Sequence, residues 1–263
     1  MPTEATAQSQ GKGFGTGSPG RPEPVIPRDT VWSSTTPLRH MAQLDALRAI
    51  AVGMVLLYHF WRPARQYVSF GPIGVRIFFV LSGFLITGIL LRSRERCDSG
   101  QTPPGFAIRR FYVRRILRIF PLYYVALAIA WYGEVWGARE GMAWHAAYLS
   151  NVHFFLVNAA QPGVWGGHVA HLWSLAVEEQ FYLVWPWVIL FAPRRWLPGI
   201  ALGMAAVGPV FRSVVFGLTG NDLAPVLPLG CVDSLALGAY LATTLAPEFK
   251  SHPLVRRIGA GVL

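Results

Sequence analysis

Charge is scarce in this sequence. Only 14% of its 263 residues are Asp, Glu, Lys or Arg, against roughly 25% in an ordinary soluble domain. A soluble protein of this size needs polar surface to cover its core, so the scarcity argues against a soluble globular enzyme. With 53% hydrophobic and 13% aromatic residues and a mean hydropathy of +0.39, the bulk of the chain is not intrinsically disordered either. Cysteine is limited to Cys97 and Cys231, whose spacing suggests neither a disulfide framework nor a metal site. Residues 1–40 lack an apolar core of signal-peptide length and are rich in Pro, Gly, Ser and Thr. They read as a disordered cytoplasmic tail without a cleaved targeting signal.

Lysine is almost missing as well: of the 23 basic residues, only Lys12 and Lys250 are not Arg. The formal net charge of +10 invites a nucleic-acid reading, but the distribution opposes it. Eight Arg fall between Arg92 and Arg118, facing only Glu95 and Asp98, with apolar runs on both sides. That pattern matches the positive-inside bias of membrane proteins.

Apolar segments lie near 44–61, 73–91, 118–133, 143–158, 172–192, 196–216 and 226–246. Most approach the ~20 residues that cross the hydrocarbon as a helix. Trp61, Trp131, Trp144, Trp173 and Trp196 sit close to segment ends, as interfacial anchors do. The expected fold class is therefore all-α: a polytopic transmembrane helical bundle of six to eight hydrophobic segments, one of them re-entrant. Arg21, Arg28 and Arg39, the 92–118 stretch, Arg194 with Arg195, and Lys250, Arg256 and Arg257 are all expected inside, which puts the N-terminus in the cytoplasm. Three segments between 118 and 193 must then start and finish inside, and an odd number of full crossings cannot do that. Segment 143–158, with His145, Ser150, Asn151, His153 and Asn158, is the expected non-crossing one.

The first span carries the most informative polar residues. At about 100° per residue, Asp45, Arg48 and His59 project within a narrow sector of one helix. Eleven residues separate Arg48 from His59, roughly 16 Å along the axis, which places Asp45 and Arg48 at the cytoplasmic end and His59 deep in the outer half. Ionisable groups at such depth are costly and line a cavity or pathway. An imidazole is also the side chain suited to take a hydroxyl proton near neutral pH. The bland reading, a capped His and a snorkelling Arg, weighs evenly for Arg48 alone; the aligned His59 tips it towards function.

Other residues were weighed in the same way. Gly83 and Thr87 form a small-xxx-small face for close helix packing, and Ser82 lacks the surroundings of a nucleophile elbow. Arg110, Arg114 and Arg118 recur every four residues as a cationic stripe. On residues alone an interfacial helix on anionic lipid is favoured over a phosphate dock. Glu178 and Glu179 stand in an apolar run and need partners, with Arg48, Arg76 or His59 available to Glu178. For Asp233 a structural ion pair is the preferred reading.

Taken in order, these blocks resemble the acyltransferase 3 family of integral membrane O-acyltransferases. They are Leu44 to Arg48 with His59, Gly74 to Phe84, Arg115 to Pro121, His171 to Leu183, and Asp233 to Gly238. The resemblance covers about 40–255 and implies transfer of an acyl group, commonly acetyl, from acyl-CoA to a carbohydrate hydroxyl in the cell envelope or a secondary metabolite. It implies no metal. His59, Arg48 and Glu178 become the expected catalytic residues, and Arg114, Arg115 and Arg118 the expected dock for the acyl-CoA phosphates. Two details depart from the family: Arg76 stands where an acid is usual, and the chain ends where an eighth span would begin, about ten being usual. The expected organisation is a tail over 1–40 and an incomplete membrane domain over 41–263, in the cell (inner) membrane among its lipids. A proton-coupled transporter and an inactive truncated fragment are the competing readings.

Overall fold

The computed structural model describes residues 42–60, 70–135, 138–164 and 167–249; the expected N-terminal tail lies outside the described residues. Those residues form α-helices and short 3-10 turns and no strand. The helices are α1 (Ala42–Phe60), α2 (Phe70–Asp98), α3 (Pro104–Tyr132), α4 (Met142–Ala146), α5 (Ser150–Ala160), α6 (Leu172–Phe191), α7 (Leu197–Thr219) and α8 (Pro228–Phe249). Local chemistry fixes several ends. Pro103 is extended and Pro104 opens α3, where the missing N–H costs nothing. Gly220 closes α7 at φ 66°, the left-handed conformation a helix stop requires. Pro121, Pro186 and Pro209 lie inside α3, α6 and α7, an interior use tolerated in membrane helices. Two stretches, Phe70–Asp98 and Arg194–Thr219, are long and apolar enough to cross a membrane among the described residues.

Helix α2 is the axis of the bundle, packing on α8, α1 and α6. Phe79, Ile86 and Leu90 of α2 meet Phe181, Trp185 and Ile189 of α6 and Leu235 and Ala239 of α8 in one core. The small-residue face expected on α2 is used as an approach point. A Cβ on Gly83 would overlap the Leu235 carbonyl oxygen, and one on Gly238 would overlap the Val80 carbonyl. The α2 and α8 backbones therefore touch at two glycines, one from each helix. Thr87 is fully buried and instead accepts a 2.7 Å hydrogen bond from the Trp185 indole of α6.

The ends of the bundle can be assigned from polar contacts. Arg94 near the end of α2 donates to the Ile189 and Ala192 carbonyls at 2.7 and 2.6 Å, capping the C-terminus of α6. Arg194, in the α6–α7 turn, pairs with Asp98 at 2.9 Å. So α2 and α6 finish at the same end. Helix α3 begins there and runs antiparallel to α6: Ala107 and Ile108 pack on Leu190, Tyr112 donates to the Leu183 carbonyl, and Tyr123 packs beside Leu172 and Leu175. Residues 133–171 thus leave and rejoin the same far end. Within them segment 143–158 is broken into α4 and α5 at Tyr148, whose φ is 55°. The 11 residues of α5 reach only about 16 Å, half a hydrocarbon thickness.

The basic stretch departs from the expected loop. Only Ser99–Pro103, around Gly100 at φ 74°, has turn chemistry; Arg92, Arg94 and Arg96 sit on α2, and Arg109 to Arg118 on α3. Arg is a good helix former, so the helices run on through the charge. The cationic stripe is consequently the first half of a 29-residue helix, and not a separate interfacial one.

The glycine crossing makes a direct prediction. Gly83→Ala should lower the thermal stability of the detergent-solubilised protein by about 1–3 kcal/mol, the usual cost of overpacking. Gly203→Ala, where nothing lies within 4 Å of the added carbon, should leave the melting temperature unchanged.

Candidate active site

Three successive polar residues interrupt α6, and each faces a different neighbour because a helix turns about 100° per residue. Glu178 is buried at 3% exposure beside Ser82 of α2, itself at 3%. Glu179 pairs with Arg115 of α3 at 3.3 Å. Gln180 donates to the Tyr148 carbonyl at 2.8 Å and exchanges hydrogen bonds of 3.1 and 3.0 Å with Asn151. Gln180 thereby holds the break between α4 and α5 against α6. Close by, His145 Nδ1 lies 2.8 Å from Ser150 Oγ, both fully buried, and Tyr123 donates to the His145 carbonyl.

The charged part of this cluster gathers four helices. The Arg115 guanidinium carbon stacks 3.5 Å from the centre of the Tyr182 ring while its Nε reaches Glu179. Tyr182, on the same face of α6 as Glu178, is also beside Ser82. Arg48 of α1 and Arg115 both act electrostatically on Glu178. Two atoms of opposite hydrogen-bonding sense are left over. Arg48 Nε, a donor, and Glu178 Oε1, an acceptor, are buried without a partner among the described residues. Orphaned buried polar atoms are rare and mark sites where something else binds.

The depth of this cluster differs from expectation. Ala51 and Val55 flank Gly74, and Tyr58 lies on Gly71, so α1 runs antiparallel to α2. Helix α2 continues 16 residues past Ser82, roughly 24 Å, to the Arg-rich end. Arg48 is therefore level with the middle of the bundle and not at its Arg-rich mouth. The apolar segment boundaries hide this because α2 and α6 outrun the start of α1 by several turns. Asp45, exposed, lies one turn below Arg48. His59 occupies the last turn of α1, roughly 16 Å along the axis from Arg48; its side chain lies outside the described residues.

Of the three Arg expected to act together, Arg115 turns inward, whereas Arg114 and Arg118 are exposed on the outer face of α3 with Arg110. Arg76, one of the partners considered for Glu178, bonds Asp233 instead at 3.3 Å, and Arg212 of α7 bonds the same oxygen at 2.9 Å. Asp233 is an ion-pair residue, as its position suggested. Ser82 is brought to Glu178 only by the packing of α2 on α6, with no sequence signal for it; Tyr182 and Gln180 lie within about one turn of Glu178, which is the signal that could have found them. A shallow apolar groove of about 320 Å³, lined by Tyr124, Leu127, Trp131, Tyr132 and Met142, lies further along α3 and holds no part of this cluster. No group of three His, Cys, Asp or Glu that would hold a metal occurs among the described residues.

Comparison with known proteins places this arrangement. The sequence profile of the acyltransferase domain family, acyltransferase 3, matches residues 41–250. The peptidoglycan O-acetyltransferase OatA of Listeria monocytogenes is 33% identical over 243 residues, which are 86% of this chain and 37% of that protein. The O-acetyltransferase OatA of Staphylococcus aureus is 32% identical over 183 residues, 61% of this chain and 26% of that one. The chain thus spans little more than a third of these relatives at most. No solved structure matches it significantly. With the family profile covering the helices that build the Arg48, Ser82, Arg115 and Glu178 cluster, the chain belongs to the membrane-embedded acyltransferase 3 family.

Proposed function

We propose that this chain is the acyl-transferring membrane domain of an O-acetyltransferase, moving acetyl from acetyl-CoA to a hydroxyl of a cell-envelope carbohydrate. The observation that carries the reading is the polar cluster itself. A charged donor and a charged acceptor, each short of one partner, lie buried in a bundle whose other interior positions are mostly apolar. Ionisable residues are retained at such depth for function rather than for stability. The similarity to peptidoglycan O-acetyltransferase OatA supports a carbohydrate acceptor.

In this reading His59 takes the proton from the acceptor hydroxyl as its oxygen attacks the thioester carbonyl. The C–S bond then breaks, and the proton passes from the imidazolium to the departing thiolate. Arg48 offers its unpartnered Nε to the donor along the path below His59. Glu178 balances the Arg48 charge, which suits a residue level with Arg48 better than one that orients His59. Arg114 and Arg118 present exposed guanidinium forks to the donor's phosphates. Arg115 positions Glu179 and Tyr182, so its contribution to the donor site is indirect. The Arg-rich end is cytoplasmic, the chain is a multi-pass protein of the cell membrane with its N-terminus inside, and 143–158 is a re-entrant element on the outer side.

Four expected outcomes test this reading. His59→Ala should reduce acetyl transfer by a factor of about 10²–10⁴, the range for loss of a general base, while membrane insertion is unchanged; normal turnover in that variant removes the mechanism. Glu178→Gln should lower the melting temperature, because Arg48 loses an electrostatic partner even though Arg48 Nε and Glu178 Oε1 do not bond each other. Adding Arg48→Met should restore the melting temperature without restoring transfer; recovery of both would make the pair purely structural. Paired Arg114→Gln and Arg118→Gln should raise the KM for acetyl-CoA about tenfold or more with kcat maintained. A changed membrane yield with an unchanged KM would assign these Arg to lipid instead. A reporter placed at 161–164 should read extracytoplasmic, and a cytoplasmic reading contradicts the re-entrant topology.

A further inference from the structure

The Arg76, Arg212 and Asp233 cluster is not used by the chemistry above, and its charge does not balance. Asp233 Oδ2 receives both guanidinia, at 3.3 Å from Arg76 and 2.9 Å from Arg212, while Oδ1 accepts the Ser234 N–H at 2.9 Å. Both carboxylate oxygens are engaged. The two guanidinia are not saturated: Arg212 also donates to the Gly230 carbonyl, and among the described residues Arg76 has no hydrogen bond beyond Asp233. The cluster keeps a net charge of about +1. Arg76 is 45% exposed although it lies in the second turn of the most apolar long helix. A half-exposed guanidinium there is costly against lipid and calls for water or an anion.

Its place in the bundle is informative. Arg76 near the start of α2, Arg212 near the end of α7 and Asp233 near the start of α8 lie towards the end opposite the Arg-rich turn. His59 is at that end too. Tyr58 packs on Gly71, five residues and roughly 8 Å above Arg76. Cys231 feels Asp233, Arg76, Arg212 and Glu178 together, so the cluster adjoins the buried site.

We propose that Arg76 and Arg212 bind a carboxylate or phosphate group on the acyl acceptor, with Asp233 holding the two guanidinia in register. This deepens the proposed function, on which it rests for the word acceptor. Guanidinium forks recognise both anions through paired N–H donors. An acceptor anchored there extends towards the level of Tyr58, roughly 8 Å along α2.

The test is binding, so it is separable from transfer. The purified chain in phosphatidylcholine nanodiscs is titrated with methyl glucuronide, glycerol 3-phosphate and neutral methyl glucoside. One or both anionic probes should bind at least about tenfold more tightly than the neutral sugar, and which one does so tells an acidic sugar from a polyol phosphate. Arg76→Gln should abolish the preference and Arg76→Lys should retain part of it; Arg76 is exposed enough for the fold to survive either change. Equal binding of all three probes by the unaltered chain, or an anion preference that persists in Arg76→Gln, overturns the proposal and leaves an ion pair alone. Loss of acetyl transfer to every acceptor with the binding preference intact would instead count against the catalytic reading and not against this site.

Discussion

Charge buried in an apolar bundle must be partnered, and in this protein that requirement organises the helices around α6. Glu178, Glu179 and Gln180 are consecutive, so no single neighbour can serve all three. Glu178 faces α2 and α1, Glu179 faces α3, and Gln180 clasps the α4–α5 break. Each side chain therefore specifies a different interface. An unpaired carboxylate in such surroundings costs several kcal/mol, so the assembly in which every one finds its partner is strongly preferred over slipped alternatives. Four buried atoms lack a hydrogen-bond partner among the described residues: Arg48 Nε, Arg94 Nε, Tyr148 Oη and Glu178 Oε1; of these, Arg48 Nε and Glu178 Oε1 belong to the central charged cluster, where a ligand gains most by binding.

The dense side of the bundle makes this partnering possible. Where α2 crosses α8, Gly83 and Gly238 let the backbones touch, so α2 is held without large side chains on that face. The adjoining face of α2 then carries Phe79, Ser82 and Ile86 towards α6. Helix α3 is bound differently. It has few buried residues; its polar hold on α6 runs through Tyr112 and Arg115, and Tyr123 bonds the His145 carbonyl of α4. Glycine packing fixes α2, and hydrogen bonding fixes α3.

The number and order of the apolar segments are legible in the sequence because hydrophobic runs of spanning length have few other uses; the failed parity between 118 and 193 calls for one non-crossing segment, and the polar residues of 143–158 single that one out. The same arithmetic explains the paired ends of α2 and α6 in the structure. Depth is not legible. Helices continue through charged turns when those charges find carbonyls and carboxylates, as Arg94 does at Ile189 and Ala192, and composition cannot see such capping. Arg48 was accordingly read too near the basic rim. Partner choice is equally hidden: Arg76 and Arg48 are alike as candidates for Glu178, and only the approach of α7, bringing Arg212, draws Asp233 and hence Arg76 to another interface. Ser82 and Tyr182 are polar groups in apolar runs, a weak signal on its own, made specific only by facing Glu178.

The near-absence of lysine has its explanation in these same contacts. Arg115 uses Nε for Glu179 and its flat face for Tyr182 at the same time. Arg94 divides one nitrogen between two helix-terminal carbonyls, and Arg212 divides one between Asp233 and the Gly230 carbonyl. An ammonium is a compact, strongly hydrated point charge with no face to stack and no fork to divide. It would have to give up more hydration to enter the bundle and would satisfy fewer partners there. In a protein with so few charges, Arg94, Arg115 and Arg212 each bind two partners inside the bundle, and Arg115 does so by edge and by face at once, which only a guanidinium allows.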